Sequence, residues 1–207
     1  MSVYRGANLA WQLNGDARLV RELASGADAL VLVECRTKDN QPINIKGILG
    51  DPWWVGQNTR TAALSGTAIA IRKGSTVKRR RIDGLLRLVR ISGPGRKVQA
   101  RYLRSVPIRD EHGNATLFGA HIPLASTGQQ GEAIGVVSDA WRSTSGRKLL
   151  FADCNTHPAG FAADVTAPNH AGDGVMVWLW SHGWSNVRVK WRQFRGSDHK
   201  VGTLRTG

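Results

Sequence analysis

The sequence predicts an α+β domain built in layers, and three observations predict it. Apolar runs of strand length recur along the 207 residues. Helical periodicity shows in only two places. A turn-rich pentapeptide at 110–114, Asp-Glu-His-Gly-Asn, separates two strand-like segments and signals a hairpin. Many strands, few helices and antiparallel neighbours disfavour a doubly wound parallel sheet.

Each element has its own cue. Residues 2–10 read as a strand. Residues 16–24 follow an Asn-Gly turn and carry Leu19, Val20, Leu23 and Ala24 at helical spacing. ALVLV at 29–33 is a continuous apolar run, as in a strand covered on both faces. Residues 36–65 read as loop and hold the pair Trp53–Trp54, which is a candidate for base stacking there. Residues 67–71 form the next strand, and 98–108 with 115–122 form the hairpin. Residues 129–142 place Ala133, Ile134, Val137, Ala140 and Trp141 on one helical face. Strands are expected at 148–152, 175–180 and 186–191. Trp178 and Trp180 alternate within VMVWLW and read as structural. No repeat or low-complexity tract interrupts the chain, so one domain over 1–207 is expected.

Composition narrows the class. At 41% hydrophobic residues the chain can bury a core. No apolar run approaches the ~20 residues of a membrane span. The first residues, MSVYRGANLAWQLNGD, lack the basic start and apolar stretch of a secretory signal. An intracellular monomer that does not insert into membranes is expected. Cys35 and Cys154 are too few for a disulfide framework or a CxxC zinc site, and read as free thiols. Each adjoins a polar strand-end residue, so its side chain should turn into the packed layer beneath.

Charge is the strongest signal. Twenty-nine Lys and Arg against 15 Asp and Glu give +14, which points to a polyanionic partner, nucleic acid or an anionic membrane surface. Between Arg72 and Arg109 lie 13 Lys and Arg and one acid, Asp83. This stretch, with Arg79, Arg80 and Arg81 at its densest point, reads as a phosphate-backbone contact surface.

Polar residues able to do chemistry sit where apolar strands stop. They are Asn8, Glu34, His121, Asp153 with Asn155, and Asp198 with His199. Glu34 and Asp153 are hard oxygen donors suited to Mg²⁺. The asparagines can complete a metal shell or hold a phosphoryl oxygen, and the histidines can move protons near neutral pH. Acids, amides and histidines around a divalent cation make a set able to cleave a phosphodiester.

In this order the motifs resemble those of the endonuclease/exonuclease/phosphatase superfamily, whose fold is deoxyribonuclease-I-like. Asn8 resembles the asparagine after the first strand, and ADALVLVECR the segment that carries the metal-binding glutamate, here Glu34. SGTAIAIRKG resembles the strand after the first long loop, ATLFGAHIP the strand that ends in His121, and LLFADCNTHP the segment of Asp153 and Asn155. AGDGVMVWLWS resembles the segment of an orienting aspartate, here Asp173, and GSDHKV the terminal Ser-Asp-His motif with Asp198 and His199. There are departures: Ala10 stands where the family often has an aspartate, and the "GDFN" segment reads ADCN.

The resemblance implies a two-layered β-sandwich flanked by helices, four layers in all. It implies a Mg²⁺-dependent phosphodiesterase, with Mn²⁺ as a possible substitute. His199 would be the general base, oriented by Asp173. Glu34, Asn8 and Asp198 would hold the metal, and Asp153 would orient the nucleophile or bind a second metal. Asn155 and His121 would contact the non-bridging oxygens. Arg36, Arg192 and Arg195 stand close in sequence to these motifs and are expected to touch phosphate. The basic charge favours nucleic acid, DNA over RNA, and an endonuclease of low sequence specificity. The polar stretch 168–172 before Asp173 disfavours an abasic-site pocket. A phosphatase of the same fold acting on phosphoinositides or another small phosphoester is the rival reading. A nucleic-acid-binding module with a decayed site is the second rival.

Overall fold

The computed structural model describes residues 1–9, 16–37, 41–57, 66–80, 89–91, 101–194 and 199–207, the side chains of 89–91 and 101–102 excepted. Arg81, Arg195 and Asp198 lie outside the described residues.

The chain opens with β1 (Val3–Asn8), α1 (Ala17–Ala24) and β2 (Ala29–Val33), followed by α2 (Ile45–Leu49), β3 (Trp53–Gly56) and β4 (Thr67–Arg72). Next come the two-residue β5 (Lys78–Arg79), β6 (Val89–Ile91), and the hairpin of β7 (Arg101–Asp110) and β8 (Gly113–His121). Then follow α3 (Gln130–Ser143), β9 (Arg147–Asp153), α4 (Pro158–Val165), β10 (Asn169–Asp173), β11 (Met176–Trp180), β12 (Arg188–Gln193) and β13 (Lys200–Arg205). Residues 36–65 are therefore not one loop: α2 and β3 lie within them.

The strands form two sheets. One runs β12-β13-β1-β2-β4-β3, the other β10-β11-β9-β8-β7-β5, with β6 also pairing to β7. They pack face to face around Tyr4, Val31, Val33, Ile69, Leu117, Phe151 and Trp178. Helices α1 and α2 cover the outer face of the first sheet through Val20, Leu23, Ile45 and Leu49. Helices α3 and α4 cover the second through Ala133, Val137, Trp141, Phe161 and Val165. The result is the expected α+β sandwich of four layers.

Local sequence explains this packing. All five residues of β2 are buried. Leu30 and Leu32 face the helices while Ala29, Val31 and Val33 face the other sheet, which is why ALVLV is apolar without alternation. Asp16 starts α1 by accepting a hydrogen bond from the Arg18 amide. Gly6 has a steric reason: a Cβ there would sit inside the Phe151 ring, so the sheets close only over a glycine.

Strand direction builds the site. β1 runs parallel to β2, and β8 parallel to β9. Their C-terminal ends (Asn8, Val33, His121 and Asp153) emerge at one end of the sandwich. The antiparallel β4 and β7 finish at the other end, where Ile71 is opposite Ala29 and Asp110 opposite Gly113.

Candidate active site

Five of the predicted residues meet where the parallel strands end. Asn8 Nδ2 donates to Asp153 Oδ2 at 2.6 Å and ties one sheet to the other. His121 lies between two carboxylates, with Nδ1 3.5 Å from Glu34 Oε1 and Nε2 3.8 Å from Asp153 Oδ2. Asn155 donates through its backbone amide to Asp153 Oδ1 at 3.2 Å. Its Nδ2 donates to the Ile122 carbonyl at 2.7 Å and lies 3.3 Å from His121 Nε2.

Two of the four described non-glycine residues with a left-handed backbone lie at the same place, the others being Thr166 after α4 and Asn186 before β12. Glu34 has φ of 51° and Asn155 of 47°, in the left-handed region. Such a conformation costs on the order of 1–3 kcal/mol in a residue other than glycine and concentrates at functional sites. Here it turns both side chains back over the strand ends.

Asp153 is almost completely buried. Burial pushes its carboxyl above the usual carboxylate range and the Glu34 charge adds to this, while the Asn8 amide, His199 and the Asn155 amide pull the other way. Asn8 and Asn155 are neutral donors, and no Lys or Arg of the described residues is paired with Asp153. Two carboxylates that meet in a buried site repel each other unless a cation or a proton joins them. Glu34, Asp153 and the Asn8 side chain are a hard-oxygen donor set that fits Mg²⁺, which takes one or two carboxylates and keeps water as its remaining ligands. Among the described residues no group of three or more His, Cys, Asp and Glu is placed to hold a metal ion, so a cation here would rest on the two carboxylates, the Asn8 side chain and water.

The other predicted residues fall into three groups. Arg36 is at the site, its Nη2 3.4 Å from Glu34 Oε1. His199 precedes β13 and is close enough to act on the Asp153 charge. Asp173 closes β10 at the hairpin to β11, and Lys200 Nζ donates to its Oδ2 at 2.7 Å. The described contact of Asp173 is thus to the residue after His199. Arg192 is exposed on β12 and pairs with Glu22 at 2.9 Å.

Arg79 and Arg80 are not brought to the site. Arg79 is in register with Ile108, and Ile108 with Ala115. Six residues of β8 then separate that level from His121, roughly 20 Å at about 3.3 Å per residue. The density of charge in 72–109 is real, but its described part at Lys78–Arg80 faces the opposite end of the sandwich. The tryptophan pair also differs from expectation. Trp53 and Trp54 belong to β3, and Trp53 is buried under Arg72. Trp54 is half-buried and packs against Arg79, so neither is a loop residue.

The thiols behave as predicted. Cys35 is buried in the layer under α1 and α2, and Cys154 in that under α3 and α4. Burial pushes both thiols up, Cys154 to about 11, so neither is a thiolate nucleophile.

The sequence did not reveal Gln130, on the first turn of α3. Its Nε2 donates to the Pro123 carbonyl at 3.3 Å and the Asn155 carbonyl at 3.0 Å, joining the loops that leave β8 and β9. A lone glutamine in a helix has no pattern that would mark it.

No family model matches the sequence, and no curated protein matches it. Solved structures do. A humanized TDP2 from D. rerio is 16% identical, with a TM-score of 0.66 and 99% of each chain covered. The human Nocturnin catalytic domain with bound sulfate is 14% identical, with a TM-score of 0.65, over 100% of this chain and 93% of that one. A mannosyl-6-phosphatase from Bacteroides thetaiotaomicron is 12% identical, with a TM-score of 0.63 and 99% of each chain covered. At such identities the likeness is one of fold.

Proposed function

We infer that this chain, which has the deoxyribonuclease-I-like fold of the endonuclease/exonuclease/phosphatase superfamily, is a divalent-metal-dependent phosphodiesterase, an endonuclease acting on DNA with low sequence specificity. One observation carries this reading. Asn8, Glu34, His121, Asp153 and Asn155 converge from four strand ends, and among the described residues the more buried of the two carboxylates, Asp153, accepts hydrogen bonds only from amides. The net charge of +14 favours a polyanionic substrate.

Glu34 and Asn8, with Asp198, would hold Mg²⁺, and Mn²⁺ would serve in its place. A bound divalent cation would screen the phosphate and stabilise the leaving oxygen. His199 takes the proton of the attacking water, and Asp173 with Lys200 fixes the segment that carries it. Asp153 accepts a hydrogen bond from that water and orients it. Asn155 Nδ2 and the His121 ring donate to the non-bridging oxygens as charge develops on them. Arg36 sits at the site beside Glu34 and would meet an adjacent phosphate.

Supercoiled plasmid tests the reading, with Mg²⁺, with EDTA, and with His199→Ala beside the wild type. Nicking should need the metal, and the variant should lose on the order of 10²–10⁴-fold in rate. Nicking that survives both EDTA and His199→Ala would overturn the assignment. Phosphate release from a small phosphomonoester without any cleavage of DNA or RNA would favour the phosphatase, the activity named for the Bacteroides neighbour.

A further inference from the structure

The outer face of the first sheet carries a row of cations that the active site does not use. On β12, Arg188, Lys190 and Arg192 are exposed while Val189 and Trp191 pack inward. The register places Arg188 opposite Arg205 and Lys190 opposite Thr203, and Thr203 is in turn opposite Arg5 on β1. All of these side chains share one face. Arg188 and Arg205 form a directly opposed pair of like charges, an arrangement that destabilises a sheet. Burial, and then the nearness of Arg192 and Arg205, lowers Arg5 from the usual guanidinium value. Among the described residues no carboxylate pairs with Arg188, Lys190 or Arg205. Asn186, Arg188, Lys190, Thr203 and Arg205 line a groove of about 550 Å³.

We propose that this face of β12 and β13 is a binding tract for the phosphodiester backbone of a nucleic acid strand, separate from the active site. An extended strand sets alternate side chains roughly 6.6–6.8 Å apart. Arg188 and Lys190, continued by Arg192, which shares its charge with Glu22 of α1 at 2.9 Å, therefore form a linear repeat of cationic side chains, which fits a linear polyanion better than a compact headgroup. The tract also has a direction. Arg205 lies at the Val3 end of β1, and Arg192 is opposite Val201, two residues after His199. A strand lying along the tract would be led toward the catalytic end. Identification of the polyanion rests on the nucleic-acid reading given above.

Binding of a fluorescently labelled DNA duplex, followed by anisotropy in EDTA over a salt series, tests the tract without turnover. The variant Arg188→Gln/Lys190→Gln/Arg205→Gln is compared with Arg18→Gln/Arg21→Gln/Arg142→Gln, which removes equal charge from α1 and α3. The tract variant should bind at least about tenfold more weakly, and its slope of log K against log salt should fall by roughly 2–3, about 0.9 per lost phosphate contact. The helix variant should keep the wild-type slope to within about one contact. Equal losses in the two variants, or none in the tract variant, would sink the proposal. So would wild-type protein that ignores the duplex but binds phosphatidylserine vesicles. Hydrolysis of bis(p-nitrophenyl) phosphate with Mg²⁺ separates the two readings: the tract variant should keep the wild-type rate, and a matching loss would show that the tract is not separate. A wild type that binds the duplex through the tract but hydrolyses neither substrate would end the catalytic reading and leave the tract standing.

Discussion

Each end of the sandwich buries an aspartate, and the two are treated in opposite ways. Asp110, at the base, accepts from both Nη atoms of Arg147 at 2.8–3.0 Å, from the Tyr4 hydroxyl at 2.9 Å and from the His112 amide at 2.9 Å. The Arg147 guanidinium itself stacks on Trp184, 4.0 Å from the ring centre. That carboxylate is neutralised by the fold. Asp153, at the other end, has amide donors, a histidine at 3.8 Å and a second carboxylate nearby. The first arrangement fixes the structure of the base. The second leaves Asp153 with no guanidinium of its own among the described residues, only two histidines nearby, so a proton or a bound cation can still change its charge balance, which is the kind of environment that gathers at functional sites.

Exchanging the charge at each end should separate the two roles. Asp153→Asn keeps the shape and removes the charge. Turnover should drop on the order of 10³-fold, with the melting temperature within a few degrees of wild type, because loss of an unbalanced buried charge offsets loss of one of the two oxygen acceptors. A melting temperature that falls by more than a few degrees would show that Asp153 is a structural anchor like Asp110. Arg147→Met should do the converse. Removing one partner of a buried pair costs about 3–5 kcal/mol, or roughly 10 °C in a chain of this size. The folded variant should nick plasmid at the wild-type rate at low temperature. A large loss of rate without a loss of stability would break the comparison from the other side.

The candidate site was legible because its residues follow apolar strands, and a strand end is easy to see in a sequence. LVLVE, FGAH and LFAD each switch from apolar to polar at one residue. Their convergence was not visible: it depends on the parallel pairing of β1 with β2 and β8 with β9, which only the register shows. The same limit misplaced Arg79 and Arg80. Their charge density is plain, but which end of a sheet they reach is decided by pairing over long sequence separations. β10 was missed for another reason. Asn-His-Ala-Gly-Asp has no β-branched residue, and it is a strand only because β11 pairs with it. β3 was lost in a long polar stretch whose tryptophans looked like loop residues. The alternation of Arg188, Lys190 and Arg192 marks a charged sheet face in the sequence, but the denser run at 72–109 dominates the charge pattern.

The smallest effect expected, and the one most specific to the contrast between the ends, is the pH dependence of stability. In Asp153 burial raises the folded-state value above the ordinary 3.8. The folded protein then holds this proton more tightly than the unfolded chain, so stability falls as pH climbs from the ordinary value through the raised one and stays lower above it. Glu111, at the base, behaves in the reverse sense. Burial opposes its ionisation, but bonds from the hydroxyls of Ser2 and Thr206 and from the Met1 ammonium outweigh it and bring the carboxyl from 4.5 to about 2. Its contribution is present above pH 4.5 and is lost as pH falls toward 2. Melting curves across pH should therefore separate the two variants. Relative to wild type, Asp153→Asn should gain stability as pH rises above about 4, by at most ~1.4 kcal/mol for each pH unit of that window. Glu111→Gln should match wild type near pH 2, fall behind it between about 2 and 4.5, and differ from it by a constant amount above that. Mg²⁺ should raise the melting temperature of the wild type at neutral pH and raise that of Asp153→Asn by less, because a cation held by Glu34 and Asn8 stabilises the folded state further through the negative charge of Asp153 beside it. A difference between wild type and Asp153→Asn that stays flat across pH would mean that the Asp153 carboxylate is already balanced within the fold, and the contrast with Asp110 would fail.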